Sequence, residues 1–294
     1  MPFRSMPRTR VVRESIVILK FSGRLVVLVL VLAVTTLLFL PFQLAAMAFS
    51  PRHAGILPML WQRIAAAMLG LKVRVEGTPS TARPLLLVSN HVSWLDIVTL
   101  GSLMPMSFIA KREVSEWPVV RRLARLQRSV FIDRARRTAT SEAGEAIAAR
   151  LAGGDALVLF AEGTTGDGVS VLPFRSALVG AAAKASVAAQ EGSGEAATGS
   201  ITIQPVALVY VGLHGLPIGR LRTADVAWHG DMDLAPHLSN LVRVGAIDAV
   251  VAFGVPIVFS PGGDRKEATA AAEREVRLMV RRIRAARGKA ATAA

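Results

Sequence analysis

The sequence predicts an α/β fold, a mixed sheet flanked by helices, carried behind an N-terminal membrane-anchoring helical segment. Three observations point there. From Leu71 onward short β-rich runs alternate with runs of helical period, the pattern of a sheet with helices on its faces. From Leu25 to Pro51 there is no Asp, Glu, Lys or Arg, a stretch longer than the roughly 20 apolar residues that a bilayer-crossing helix needs. Hydrophobic residues make up 52% of the 294 and charged residues 19%, a balance that leaves apolar surface facing something other than water.

Residues 1–24 are a basic segment, with Arg4, Arg8, Arg10, Arg13, Lys20 and Arg24 against a lone Glu14. The positive-inside rule assigns such an excess to the cytoplasmic side, the inner membrane if the source is bacterial. Residues 25–70 form an apolar membrane-associated helix or helical hairpin. Its first part, "LVVLVLVLAVTTLLFL", runs into Pro41, which is expected to kink or end it. "QLAAMAF" has the small residues of a signal-peptide cleavage site, but the basic region and the apolar run both exceed the usual lengths, so an anchor ranks first. After Pro51, Leu60, Ile64 and Met68 share one helical face ahead of a stop at Gly70. That second helix lies either in the membrane interface or in the core.

Residues 71–294 read as one domain with its motifs between 89 and 208. "LKVRVEG" (71–77) alternates as a half-buried strand, and "PLLLVSN" (84–90) is apolar as a fully buried one. "SWLDIVTLGSLM" (93–104) has helical period, "MSFIA" (106–110) is a strand, "SEWPVVRRLARL" (115–126) a helix and "RSVFIDR" (128–134) a strand. "ATSEAGEAIAARLAGG" (139–154) is a helix stopped by glycine, and "ALVLFAEGT" (156–164) is a strand. "AQEGSGEAATGS" (189–200) has loop composition ahead of the strand "ITIQPVALVYV" (201–211). The Arg-rich helical end, 264–294, is expected to be a solvated face or a further contact with anionic lipid.

The chemistry is narrowed first by absences. No Cys means no disulfide, no thiolate nucleophile and no Cys-based zinc site. The nucleotide-binding, serine-hydrolase and zinc-protease motifs are missing as well. A net charge of +14 attracts nucleic acid, anionic lipid and phosphorylated metabolites alike.

"SNHVSWLDIV" carries the sharpest pattern. With His91 in the turn after a strand and Asp96 in the opening of a helix, the carboxylate can hold one imidazole nitrogen and leave the other free to take a proton from a hydroxyl. The nucleophile is then the substrate's own alcohol. Asn90 and Ser93 support this turn and are also ordinary helix-capping residues. In "VFIDR", Arg134 follows a strand as an anion-binding fork. It closes a region from Lys111 to Arg137 with nine basic and three acidic residues. In "LFAEGTTGDG", Glu162-Gly163-Thr164 follows a strand, Gly163 allowing close backbone approach and Glu162 accepting from a hydroxyl or ordering nearby donors. "IQPVAL" places Pro205 in a buried strand that shapes the pocket. "WHGDMD" aligns His229, Asp231 and Asp233, a pattern that a polar turn produces easily, and no further metal ligands accompany it.

Those four motifs in that order make the chain, from about Leu71 to Val211, resemble the glycerolipid acyltransferase family that includes the 1-acyl-sn-glycerol-3-phosphate acyltransferases. The resemblance implies an acyltransferase with His91 as general base, Asp96 as its orienting partner, and Arg134 as a ligand of the acceptor's phosphate. Glu162, Gly163, Thr164 and Lys111 join the substrate site, while Asn90, Ser93 and Pro205 support it. It implies transfer of an acyl group from acyl-CoA or acyl-ACP, a co-substrate, to the free hydroxyl of 1-acyl-sn-glycerol-3-phosphate. No metal or other cofactor and no nucleic acid are expected, and the partners are a lysolipid acceptor and the bilayer. Where family members carry Pro before the Glu and a cation after the Thr, this chain has Ala161 and Thr165. "EGTTGDGVSVLPFRSAL" also resembles relatives that acylate lyso-ornithine lipid, whose headgroup lacks phosphate, and Arg175 could restore the missing charge. The rival of another class is a non-enzymatic basic protein that binds lipid or nucleic acid, which would need neither His91 nor Asp96.

Overall fold

In the computed structural model the described residues are 8–111, 118–132, 145–180 apart from 148, 152 and 178, 200–230, 232–260 and 262–292. Nine strands among them form one sheet: β1 (Leu71–Glu76), β2 (Leu85–Ser89), β3 (Ser107–Lys111), β4 (Val130–Ile132), β5 (Ala156–Phe160), β6 (Ile201–Leu213), β7 (Leu216–Pro217), β8 (Ile247–Phe253) and β9 (Ile257–Phe259). The main path runs β1-β8-β6-β2-β5-β3-β4, and β7 and β9 pair with β6. β2, β5, β3, β4 and the start of β6 are parallel, whereas β8 is antiparallel to β6, so the sheet is mixed, as the sequence predicts.

β6 changes partners along its length. Ile201–Ile203 pair with β9 and Val206–Leu213 with β8, so Pro205 falls between two ladders where its missing N–H is not required. Gln204, fully buried, accepts from the Ser80 N–H and donates to the carbonyls of Thr78 and Gly254, tying two loops to this point.

Alternation along the strands divides the core in two. Leu86 and Val88 of β2, Leu157 and Leu159 of β5, and Ala207 and Val209 of β6 face one side. There they meet α6 (Arg265–Thr292) through Ala268, Ala272, Val276, Met279, Val280 and Ile283. The Arg-rich C-terminal helix is therefore a core element with one solvated face. Three- and four-residue spacing of Ala and β-branched residues gives it an apolar stripe that its charge count conceals. Leu85, Leu87, Phe160, Leu208 and Tyr210 face the other side. Against them pack α2 (Ile56–Met68), α3 (Leu95–Gly101) and α5 (Leu234–Val244). α3 is shorter than the 93–104 helix expected.

The N-terminal helix α1 (Arg8–Phe49) runs through Pro41, so of the two outcomes expected at the proline, a kink or an end, the helix does not end there. Leu40 and Gln43, on either side of the proline, line one crevice with Trp61 and Gln62 of α2, so packing holds the helix together across the missing hydrogen bond. Gln43 is buried and donates to the Ala54 carbonyl and to the Leu126 carbonyl of α4 (Pro118–Leu126). Trp61 donates to Thr36 Oγ1 at 2.9 Å, Leu28 is buried in the core, and Arg24 lies against Gly245 at the carbonyl end of α5. One face of α1 thus follows the domain, while Val26, Leu30, Val34, Leu37, Leu38 and Phe42 point outward, more than half exposed. Gly23–Phe49 is long and apolar enough to cross a membrane. α2 itself is buried through Gln62, Ala65 and Ala66 between α1 and α3.

Candidate active site

β2 is fully buried and ends at Ser89, where the chain leaves the sheet. Asn90 extends the pairing by one residue with its side chain: Nδ2 donates to the Leu208 carbonyl and Oδ1 accepts from the Leu208 N–H, both at 2.9 Å. His91 is thereby aimed from the carboxyl end of a central strand, where α/β sheets open their binding crevices.

Asp96 sits in the first turn of α3, fully buried. Its Oδ2 accepts from His91 Nδ1–H at 2.7 Å, from the Val92 N–H at 2.6 Å and from the Ser93 N–H at 3.0 Å. Its Oδ1 accepts from the Tyr210 hydroxyl of β6 at 2.7 Å. Four donors converge on one carboxylate and satisfy it in the interior. Ser93 is buried and contributes through its backbone N–H, with its Oγ accepting from the Leu95 N–H. With Nδ1–H donated to Asp96, Nε2 of the neutral imidazole is the nitrogen left to accept a proton. The imidazole is stacked on Phe160 at 3.9 Å and 11°, and its side chain is 18% exposed, enough for a ligand to reach it.

Phe160 ends β5, and the next residues carry the second motif. Glu162 is buried, and its Oε1 accepts from the His91 N–H at 3.2 Å. Burial pushes its carboxyl up to about 8, against the pull of the His91 and Leu172 N–H groups. Oε2 is buried without a hydrogen-bond partner among the described residues. Gly163 has φ +75°, a left-handed turn that suits glycine. Thr164 is exposed beside it. The loop then returns to the base, the Gly166 N–H donating to the His91 carbonyl at 2.8 Å, while from a distant segment the Trp228 N–H donates to the Val92 carbonyl at 2.9 Å.

The structure thus gathers His91, Asp96, Ser93 and Glu162 into one hydrogen-bonded cluster, with Asn90 fastening the turn to Leu208 and Gly163 and Thr164 on its rim. Lys111 closes β3, one strand beyond β5, with its side chain outside the described residues, as Arg134 is altogether. Pro205 touches the cluster only through the frame of β6. Arg175 donates its backbone N–H to the Ala161 carbonyl. Asp231 is outside the described residues, and among those described no three His, Cys, Asp or Glu residues are grouped to hold a metal.

Tyr210 and Phe160 escape a reading of the sequence, since each looks like one more apolar residue in a buried strand. Burial and the neighbouring Asp96 raise the Tyr210 phenol well above its usual range, so it remains a donor. His237 is a third, structural case: its Nδ1 accepts from Trp94 Nε1–H and its Nε2–H donates to the Ala227 carbonyl. Burial lowers its imidazole below the ordinary value, consistent with a neutral ring.

A family model described as "Acyltransferase" matches residues 72–209, which hold His91, Asp96 and Glu162 and stop one residue short of Tyr210. The lyso-ornithine lipid O-acyltransferase of Brucella abortus is 43% identical over 87% of this chain and 94% of its own length. That of Rhizobium meliloti is 39% identical over 85% of the chain and 84% of its own length. The 1-acyl-sn-glycerol-3-phosphate acyltransferase of Neisseria gonorrhoeae is 35% identical over 43% of this chain and 49% of its own length. Among solved structures, the 1-acyl-sn-glycerophosphate acyltransferase PlsC of Thermotoga maritima shares the fold, with a TM-score of 0.57 at 22% identity over 90% of this chain and 98% of that one. A histidine with one free nitrogen, a buried carboxylate behind it and likeness over most of the chain lead to one conclusion: this chain belongs to the acyltransferase family.

Proposed function

We propose that the protein transfers an acyl group from an acyl thioester, acyl-CoA or acyl-ACP, to the hydroxyl of lyso-ornithine lipid at a membrane surface, with His91 as general base. The extent of likeness carries the choice of acceptor. Relatives named for lyso-ornithine lipid match over 87% and 85% of the chain, those named for 1-acyl-sn-glycerol-3-phosphate over 43% and 39%. This reverses the order of the two acceptors that the sequence suggests. At the corner after Thr164 the residues Thr165, Gly166 and Asp167 supply no cation, and the guanidinium beside it comes from Arg284 of α6, which donates to the carbonyls of Gly168 and Val169. Burial raises the Asp167 carboxyl, but the N–H groups of Val169 and Ser170 outweigh it and hold the group below its ordinary value.

His91 Nε2 takes the proton of the acceptor hydroxyl as that oxygen attacks the thioester carbonyl. Asp96 holds Nδ1–H and stabilises the imidazolium as it forms. When the tetrahedral intermediate collapses, the carbon–sulfur bond breaks and the imidazolium returns the proton to the leaving thiolate. Glu162, through the His91 N–H, fixes the turn and borders the acceptor site together with Gly163 and Thr164; Lys111 and Arg134 are assigned to the same site.

α1 is read as lying along the membrane surface, in one leaflet. Its contacts from Arg24 to Gln43 cover about 28 Å of helix, nearly the roughly 30 Å of a hydrocarbon core. Were α1 to span, α4 beside it would be drawn into lipid with the exposed Arg121, Arg122 and Arg125. Lying flat, it gives its outer apolar face to lipid and leaves those cations at the headgroups.

The test supplies the purified protein with labelled acyl thioester and each lysolipid in turn. Preference for lyso-ornithine lipid is expected, with His91→Ala at least ~10²-fold slower. Preference for 1-acyl-sn-glycerol-3-phosphate overturns the acceptor, and an undiminished His91→Ala overturns the mechanism.

A further inference from the structure

We infer that Tyr210 is a positioning residue for the reaction, acting through Asp96: its hydroxyl fixes the second oxygen of the carboxylate that orients His91. The inference rests on His91 as general base and extends that reading to a residue 114 positions beyond Asp96 in the chain.

The phenolic proton goes to Asp96 Oδ1, at 2.7 Å the nearer acceptor and a carboxylate, which binds a donated proton more strongly than a neutral hydroxyl. Thr99 Oγ1, which itself donates to the Leu95 carbonyl at 2.8 Å, lies further away, 3.3 Å from the Tyr210 oxygen. The other three donors to Asp96 all meet Oδ2 and come from the turn that Asp96 itself caps. Those bonds follow the turn wherever it moves. Among the described residues Tyr210 alone ties the carboxylate to the sheet, from β6, whose Leu208 also pairs with Asn90. It therefore sets the rotation of the carboxylate about its own bond, and with it the direction of the Nδ1–H bond and of Nε2. It also draws charge off the carboxylate, so that less is left to hold an imidazolium.

Tyr210 is the single tyrosine of the chain, which permits two perturbations of opposite sign. Tyr210→Phe removes the donor. Biosynthetic replacement of all tyrosine by 3-fluorotyrosine alters this position alone and makes the hydroxyl a stronger donor. The pH profile of kcat/KM for acyl transfer is measured for both proteins, with whichever lysolipid the parent enzyme accepts. In Tyr210→Phe the acidic limb is expected to move to higher pH by on the order of half a unit, and the plateau kcat to fall roughly tenfold. In the fluorinated protein the limb moves to lower pH. A phenol that merely filled space would move neither limb. Unchanged profiles in a protein whose His91→Ala variant is inactive overturn the inference and leave the base intact. An active His91→Ala removes the base reading instead. Should Tyr210→Phe fail to fold, the fluorinated protein decides alone: a limb that stays in place refutes the role.

Discussion

Replacing Asp96 by Asn separates the charge of this residue from its shape. An asparagine can turn its oxygen toward the three donors that now meet Oδ2 and its amide toward the Tyr210 oxygen, whose proton is then free to turn to Thr99. The imidazole keeps its tautomer and direction, and only the negative charge is lost. That charge lies behind the imidazolium formed in the transition state. Two unit charges about 4 Å apart at an effective dielectric near 20 attract by about 4 kcal/mol, so kcat is expected to fall by about 10³. The measurement is the initial rate of acyl transfer in detergent micelles at the optimum pH, paired with a thermal melt. The melt should fall only modestly, since the donors around the carboxylate keep their acceptors and one N–H of the new amide lacks one, whereas Asp96→Ala strands the three donors that meet Oδ2 and should melt well below it. A folded Asp96→Asn protein whose kcat stays within tenfold of the parent refutes the electrostatic role.

Two further outcomes are expected. Glu162, with its carboxyl raised to about 8 from an ordinary 4.5, keeps its proton in the fold over a range where the unfolded chain has lost it. The associated stability is complete below about 4.5 and is lost as pH rises through 8, at most about 5 kcal/mol in all. Glu162→Gln should therefore melt above the parent at pH 9, with the gap closing toward pH 5; a gap that widens on acidification contradicts the assignment. On α1, Leu37→Lys alters an outward residue that is 69% exposed. It should weaken vesicle binding with little change in the melt, while Leu28→Lys, in the core, should lower the melt. Equal loss of folding from both would show that the outward face is not turned to lipid.

The local pattern was legible wherever one stretch of chain decided it. The alternation of 71–77, the apolar run of 84–90 and the His91–Asp96 interval each depend on neighbours a few residues away, and β1, β2 and the turn appear as expected. Strand order was not legible: β5 inserts between β2 and β3, and the "IDAVVAF" run joins as β8 between β1 and β6. Those choices place Phe160 under His91 and Tyr210 behind Asp96. Inside "ITIQPVALVYV" a tyrosine among valines gives no sign of the carboxylate it meets from another strand. α6 was misread for a related reason, because its charge count outweighed the spacing of Ala272, Val276 and Ile283.

The turn bearing the base is gripped by main chain: Gly166 holds the carbonyl of His91 and Trp228 that of Val92. The side chains at 164, 165 and 167 take no part in that grip. They can change as a different headgroup requires without disturbing the imidazole, so one reactive module can be inherited unaltered while its clientele diverges.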